Sequence, residues 1–116
     1  MESGERRGNK ATSMNLLMID TSDNKKTITS LSGEIRDVYE FTSADYRTQV
    51  SLQMIEEILK RNKVSLDFVQ EVRVVTEMGS FTGVRVGVAI ANALGFAKKI
   101  SVNGLPLDRY VQPQYG

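Results

Sequence analysis

A chain of 116 residues, 41% hydrophobic and 25% charged, suits one hydrophobic core and leaves no room for two lobes. Fifteen basic against fourteen acidic residues give a net charge of +1, so no global field draws nucleic acid or an anionic membrane, and direct nucleic-acid binding is not expected. Cys and His are both absent, which closes thiolate and imidazole catalysis and the usual zinc or iron ligands, while a carboxylate site for Mg²⁺ stays open.

Residues 1–13 are polar, mixed in charge and aperiodic, and read as a flexible leader. No apolar run reaches the roughly 20 residues that cross a bilayer, and no signal-peptide stretch is present, so a cytoplasmic location is expected. Met14 to Ile19 is a strand-length apolar run around Asn15 that ends in turn chemistry, Asp20 to Asn24. Lys26 to Leu31 and Glu34 to Phe41 supply two further strands, joined at Ser32-Gly33, which predicts an antiparallel meander. Ser43 then stands as the N-cap of a helix from Ala44 to about Arg61, with Asn62 to close it.

At 100° per residue, Leu52, Ile55 and Leu59 fall on one side of this helix, and Tyr46, Val50, Met54 and Ile58 fall nearly opposite. Two apolar sides need two covers: the domain's own sheet, and either a second helix or another protein. A helix sandwiched inside its own domain is the plainer alternative.

Val64 to Val69 is a short link, and Glu71 to Thr76 a fourth strand. The loop from Glu77 to Gly83 leads into a helix from about Thr82 to Lys98, with Ser80 or Thr82 as its cap and Lys98 and Lys99 at the negative end of its dipole. Within it Gly83, Gly87, Ala91 and Gly95 recur every fourth residue, a stripe without bulk that admits another backbone, in the sheet or in a partner. Ile100 to Val102 is a last short strand and Asn103-Gly104 a turn; the chain then ends in an irregular tail, 108–116, beyond a folded unit of 14–107. The resulting α/β order, βββαβαβ, is the first part of the ribonuclease H-like unit that also builds the lobes of actin-like proteins.

Two stretches carry a more specific signal. Leu16-Leu17-Met18-Ile19-Asp20-Thr21-Ser22 and Gly79-Ser80-Phe81-Thr82-Gly83-Val84-Arg85-Val86-Gly87 together resemble the TsaB (YeaZ) family. Its members begin with a hydrophobic strand ending in Asp-Thr-Ser and carry Gly-Pro-Gly-Ser-Phe-Thr-Gly-Leu-Arg-Ile-Gly before an alanine-rich helix. Val88 to Lys98 continues the match, and the resemblance runs from about Leu16 to Leu107. It implies an actin-like fold and a non-catalytic place in the synthesis of threonylcarbamoyladenosine on transfer RNA. There a TsaD-type enzyme transfers the threonylcarbamoyl group, TsaB pairs with it through helices of its first lobe, and a TsaE-type ATPase belongs to the same complex.

Three departures accompany the resemblance. Glu77-Met78 replaces the usual Gly-Pro before Gly79. Tyr46-Arg47-Thr48-Gln49-Val50 stands where TsaD-type enzymes carry a metal-binding His-x-x-x-His, so no metal site of that kind is expected. Family members also continue for about as long again into a second lobe, and this chain is expected to correspond to the first lobe alone.

The candidate residues follow from these readings. Asp20, Thr21 and Ser22, with Gly79, Ser80, Thr82 and Gly83, form two loops that could face a phosphate or nucleotide, since free N–H groups and the helix dipole favour an anion at a helix start. The plainer alternative is a tight strand-to-helix turn with Phe81 in the core and Thr82 as cap, and the negative charge of Glu77 argues for it; no resident cofactor and no catalytic residue are expected. The expected partner interface is Tyr46, Val50, Met54, Ile58, Gly87 and Ala91, serving a TsaD-type protein or a second copy. The competing enzyme reading is a Mg²⁺-dependent ribonuclease H-like nuclease with Asp20 bridging the metals, Glu77 holding one and Asp108 as a third ligand.

Overall fold

The computed structural model describes residues 14–77, 81–107, 109 and 111. Its elements are β1 (Leu16–Asp20), β2 (Lys26–Ser32), β3 (Asp37–Thr42), α1 (Arg47–Arg61), a 3-10 turn (Leu66–Phe68), β4 (Glu71–Val74), α2 (Phe81–Lys98) and β5 (Ser101–Val102). They form one five-stranded sheet in the order β3-β2-β1-β4-β5. β1–β2 and β2–β3 pair antiparallel, the expected meander, while β1–β4 and β4–β5 pair parallel. The parallel pairs require crossovers, and α1 and α2 supply them. The α/β order read from the sequence is the order observed.

Pairing register assigns the two faces of the sheet. Leu17 lies opposite Leu31 and Val72, Ile19 opposite Thr29 and Val74, and Val72 opposite Val102. Because side chains alternate along a strand, these residues share a face. None of them is more than 6% exposed, and both helices lie over them. On the other face Leu16 and Ile28 stay half-buried, and Met18 and Val38 are 38% and 63% exposed. Glu71, paired there with Arg73 and Ser101, is buried.

The first helix departs from expectation at its start. Ser43 bonds Asp45, through both its hydroxyl and the Asp45 N–H, and does not cap the helix. α1 begins at Arg47, with Tyr46 in the left-handed region at φ 54° and no side-chain cap. Asn62 does close it, with its side-chain amide donating to the Ile58 carbonyl.

The two apolar sides predicted for α1 are the shoulders of one broad stripe. Ser51, Met54, Ile55, Ile58 and Leu59 are all buried, with Met54 at 2% and Ile58 at 0% exposure. Met54 and Ile58 therefore belong to the core and not to a partner interface, because the sheet and α2 reach further round the helix than one row of side chains. Truncating Ile58 to alanine would cost about 2–5 kcal/mol through lost burial and the cavity left behind.

The small-residue stripe of α2 also packs inward. A Cβ on Gly87 would lie 2.5 Å from Thr21 Oγ1 and 3.2 Å from Val74 Cγ2, and one on Gly95 would lie 2.6 Å from Val102 Cγ2. Ala91 is fully buried. Gly87 and Ala91 thus bring α2 close to the sheet, and their expected place at a partner interface is corrected in favour of the plainer alternative.

Candidate functional site

The two motifs meet at the C-terminal end of β1. Thr21 is 1% exposed; its hydroxyl accepts from the Gly87 N–H at 2.9 Å and donates to the Gly83 carbonyl at 2.5 Å. Those two backbone groups are partners in a regular α-helical turn, so the hydroxyl bridges one turn of α2 and pins it to β1. The arrangement needs a residue without Cβ at position 87, which explains one glycine of the second motif by one hydroxyl of the first.

Asp20 and Ser22 are engaged locally. Asp20 Oδ1 accepts from the Ser22 N–H at 2.9 Å and from the Ser22 hydroxyl at 2.6 Å, a turn closed by its own side chains. Asp23 accepts from the N–H groups of Lys25 and Lys26, and these bonds, that of Lys25 foremost, hold its carboxyl below the ordinary value. Arg47 reaches back from α1, donating to the Thr27 hydroxyl and to the carbonyls of Lys26 and Thr21. Sequence reasoning gave Arg47 no role beyond its place in a missing metal motif; here it ties the start of α1 to both ends of the β1–β2 loop.

Of the other predicted loop residues, Thr82 is exposed inside the first turn of α2 and is not its cap, while Gly83 is buried against Thr21. Gly79 and Ser80, and the side chain of Phe81, lie outside the described residues. Glu77 is exposed, and Asp108 lies outside the described residues. Among the described residues no three His, Cys, Asp or Glu side chains are placed to hold one metal ion. No helix among them is long and apolar enough to cross a membrane.

The outer surface of the helix pair is the second feature. Leu52 on α1 is 46% exposed, and with Thr48 it faces Ala89, Ile90, Ala93 and Leu94 of α2 across an open recess. Ala89 and Ala93 are exposed and one turn apart, so this side of α2 carries no bulk toward solvent. Sequence reasoning passed over these residues; the signal was Leu52 at the edge of the apolar stripe, and alanines at i and i+4 beside the glycine row. Of the expected interface residues, Tyr46 is 77% exposed and Val50 half-buried. Val50 lines a separate recess with Tyr39 and Phe41, on the β3 side of α1.

The far end of α1 is fastened to β3. Arg61 donates to both oxygens of Asp37 at 2.7 and 2.9 Å and to the Val38 carbonyl, and its guanidinium carbon lies 4.8 Å from the centre of the Tyr39 ring. Asn62 adds a further bond to Asp37. The Arg61 hydrogen bonds, and then that of Asn62, draw the Asp37 carboxyl down to about 2.

Comparison with known proteins agrees with this architecture. A family model described as TsaD, tRNA N6-adenosine threonylcarbamoyltransferase, matches residues 40–106. A Haemophilus influenzae protein, "tRNA threonylcarbamoyladenosine biosynthesis protein TsaB", is 34% identical over 90 residues, which are 77% of this chain and 38% of that protein. The solved structure of YeaZ from Pseudomonas aeruginosa overlays with a TM-score of 0.73 at 26% identity, covering 80% of this chain and 44% of that one. A second structure, of a protein similar to peptidase YeaZ from Pseudomonas aeruginosa, gives the same score and identity over 43% of its length. The chain thus spans less than half the length of these relatives. Motifs, fold and family model converge: the chain belongs to the TsaD family of tRNA N6-adenosine threonylcarbamoyltransferases, and within it to the TsaB (YeaZ) type.

Proposed function

We propose that this chain is a non-catalytic subunit in threonylcarbamoyladenosine synthesis on transfer RNA, acting in the cytoplasm by pairing with a TsaD-type enzyme. The observation that carries the proposal is the outer shoulder of the helix pair, where Leu52 stands 46% exposed beside the bare alanines of α2. An apolar residue beside small ones lets a partner helix approach closely and bury Leu52, and exposed apolar surface of this kind generally marks an interface. The rest of the chain supports a binding role. It contains no His, Asp20 is committed to its own turn, and the Thr21 joint is closed by its own backbone partners.

The pairing would act by differential binding: the lobe meets the competent conformation of the enzyme better than others and so raises its population. The same surface can serve a second copy of this chain when the enzyme is absent. Neither role calls for a bound nucleotide or metal.

Co-purification with the TsaD-type protein of the same organism, with mass by light scattering and an assay of transfer RNA modification, tests the proposal. The pair should form and raise modification, and Leu52→Glu or Ala93→Glu should abolish both while circular dichroism stays unchanged. Pairing that survives both substitutions would remove this surface from consideration.

A further inference from the structure

We propose that the outer flank of α2 carries a binding site for an extended peptide segment bearing a branched apolar side chain, filled in this chain by its own Val111 and exchangeable with a second such segment. The side-chain amide of Asn92 accepts from the Val111 N–H at 3.0 Å and donates to the Val111 carbonyl at 2.9 Å. One side chain thus reads both backbone groups of one residue, as a neighbouring strand would. Recognition through the main chain is indifferent to the sequence presented, and the pocket beneath then sorts by side chain. Val111 fills that pocket and is 5% exposed.

The hold on this segment is small. Between Leu105 and Val111 the described residues form no helix or strand; the Arg109 N–H donates to the Pro106 carbonyl, turning the chain. The attachment to α2 is therefore two hydrogen bonds from one amide and one buried valine. Segments with so few contacts open locally without unfolding the domain.

The surroundings suit a visitor. Phe96 and Leu107 are 71% and 61% exposed, and with Gly95 and Lys99 they border an open recess next to the Val111 position. A second segment that displaced Val111 would find apolar surface beyond the valine slot. This is a different side of α2 from the Leu52 shoulder, and the inference stands apart from the pairing proposed above.

A labelled peptide of residues 105–111 is the probe, with binding to the full chain followed by fluorescence anisotropy. Val111→Asp should vacate the slot and bind the peptide about tenfold or more tighter than the unsubstituted chain, whose own segment competes in cis. Adding Asn92→Asp, which keeps the acceptor but loses the donor, should abolish that gain. A folded Val111→Asp chain that ignores the peptide, or binding that ignores Asn92→Asp, overturns the proposal. Should Val111→Asp unfold, hydrogen exchange decides instead. Asn92→Ala should speed exchange at the Val111 amide while β4 amides keep their protection, and an unchanged Val111 amide would sink the idea.

Discussion

Two polar devices fasten helices to the sheet, and they differ in what surrounds them. At one end the Thr21 hydroxyl, 1% exposed, bridges Gly83 and Gly87 of α2. At the other, Arg61 and Asn62 of α1 clasp Asp37 of β3 near the surface. The first device is neutral, dry and sterically exclusive; the second is charged, wet and forgiving. A buried hydrogen bond is expensive to break because its partners cannot return to water, whereas an exposed ion pair has water and salt as substitutes.

The contrast can be tested from its strongest effect downward. Gly87→Leu should be the most damaging change, since even the first side-chain carbon would lie 2.5 Å from the Thr21 oxygen and 3.2 Å from Val74; overpacking of this kind costs about 1–3 kcal/mol and often more, read as a large drop in the denaturation midpoint. Thr21→Val should come next. It keeps the shape but leaves the hydroxyl's work undone, at about 1–3 kcal/mol for buried groups left without a partner. If Thr21→Val leaves the midpoint unchanged, the bridge carries no stability.

The exposed clasp should respond less to mutation and more to conditions. The folded-state pKa of Asp37 is depressed to about 2 from a model value of 3.8, so its contribution is present above the unfolded value and is lost as pH falls through the interval down to about 2. The difference in melting temperature between the unsubstituted chain and Asp37→Asn should therefore be small near neutrality, narrow across that acid interval, and shrink with added salt. A difference that is flat with pH and salt would mean the clasp acts by packing alone.

Much of the fold was legible in the sequence because its signals are local. The alternation of β2, the turn residues at Asp20 to Asn24 and the composition of α2 each fix an element without reference to its neighbours. The interface residues were harder because helical periodicity says which residues are apolar, not how far a sheet wraps round them. Met54 and Ile58 were assigned outward for that reason and are core. The pairing of Thr21 with Gly87, and of Asn92 with Val111, left no periodic trace, since each rests on a single long-range hydrogen-bonded contact.

β1 lies at the centre of the sheet although it comes before every other strand. Its antiparallel partner follows at once, but its parallel partner, which sets Leu16 beside Glu71, arrives only after the whole of α1. Closing so long a loop costs entropy before any contact is gained. During synthesis the β1–β2–β3 meander can therefore form early with one side of β1 unpaired, and the edge that β4 will occupy is exposed in the interval. The order in which the ribosome releases these strands makes that edge, absent from the finished sheet, the point where a nascent chain is most open to pairing with the wrong neighbour.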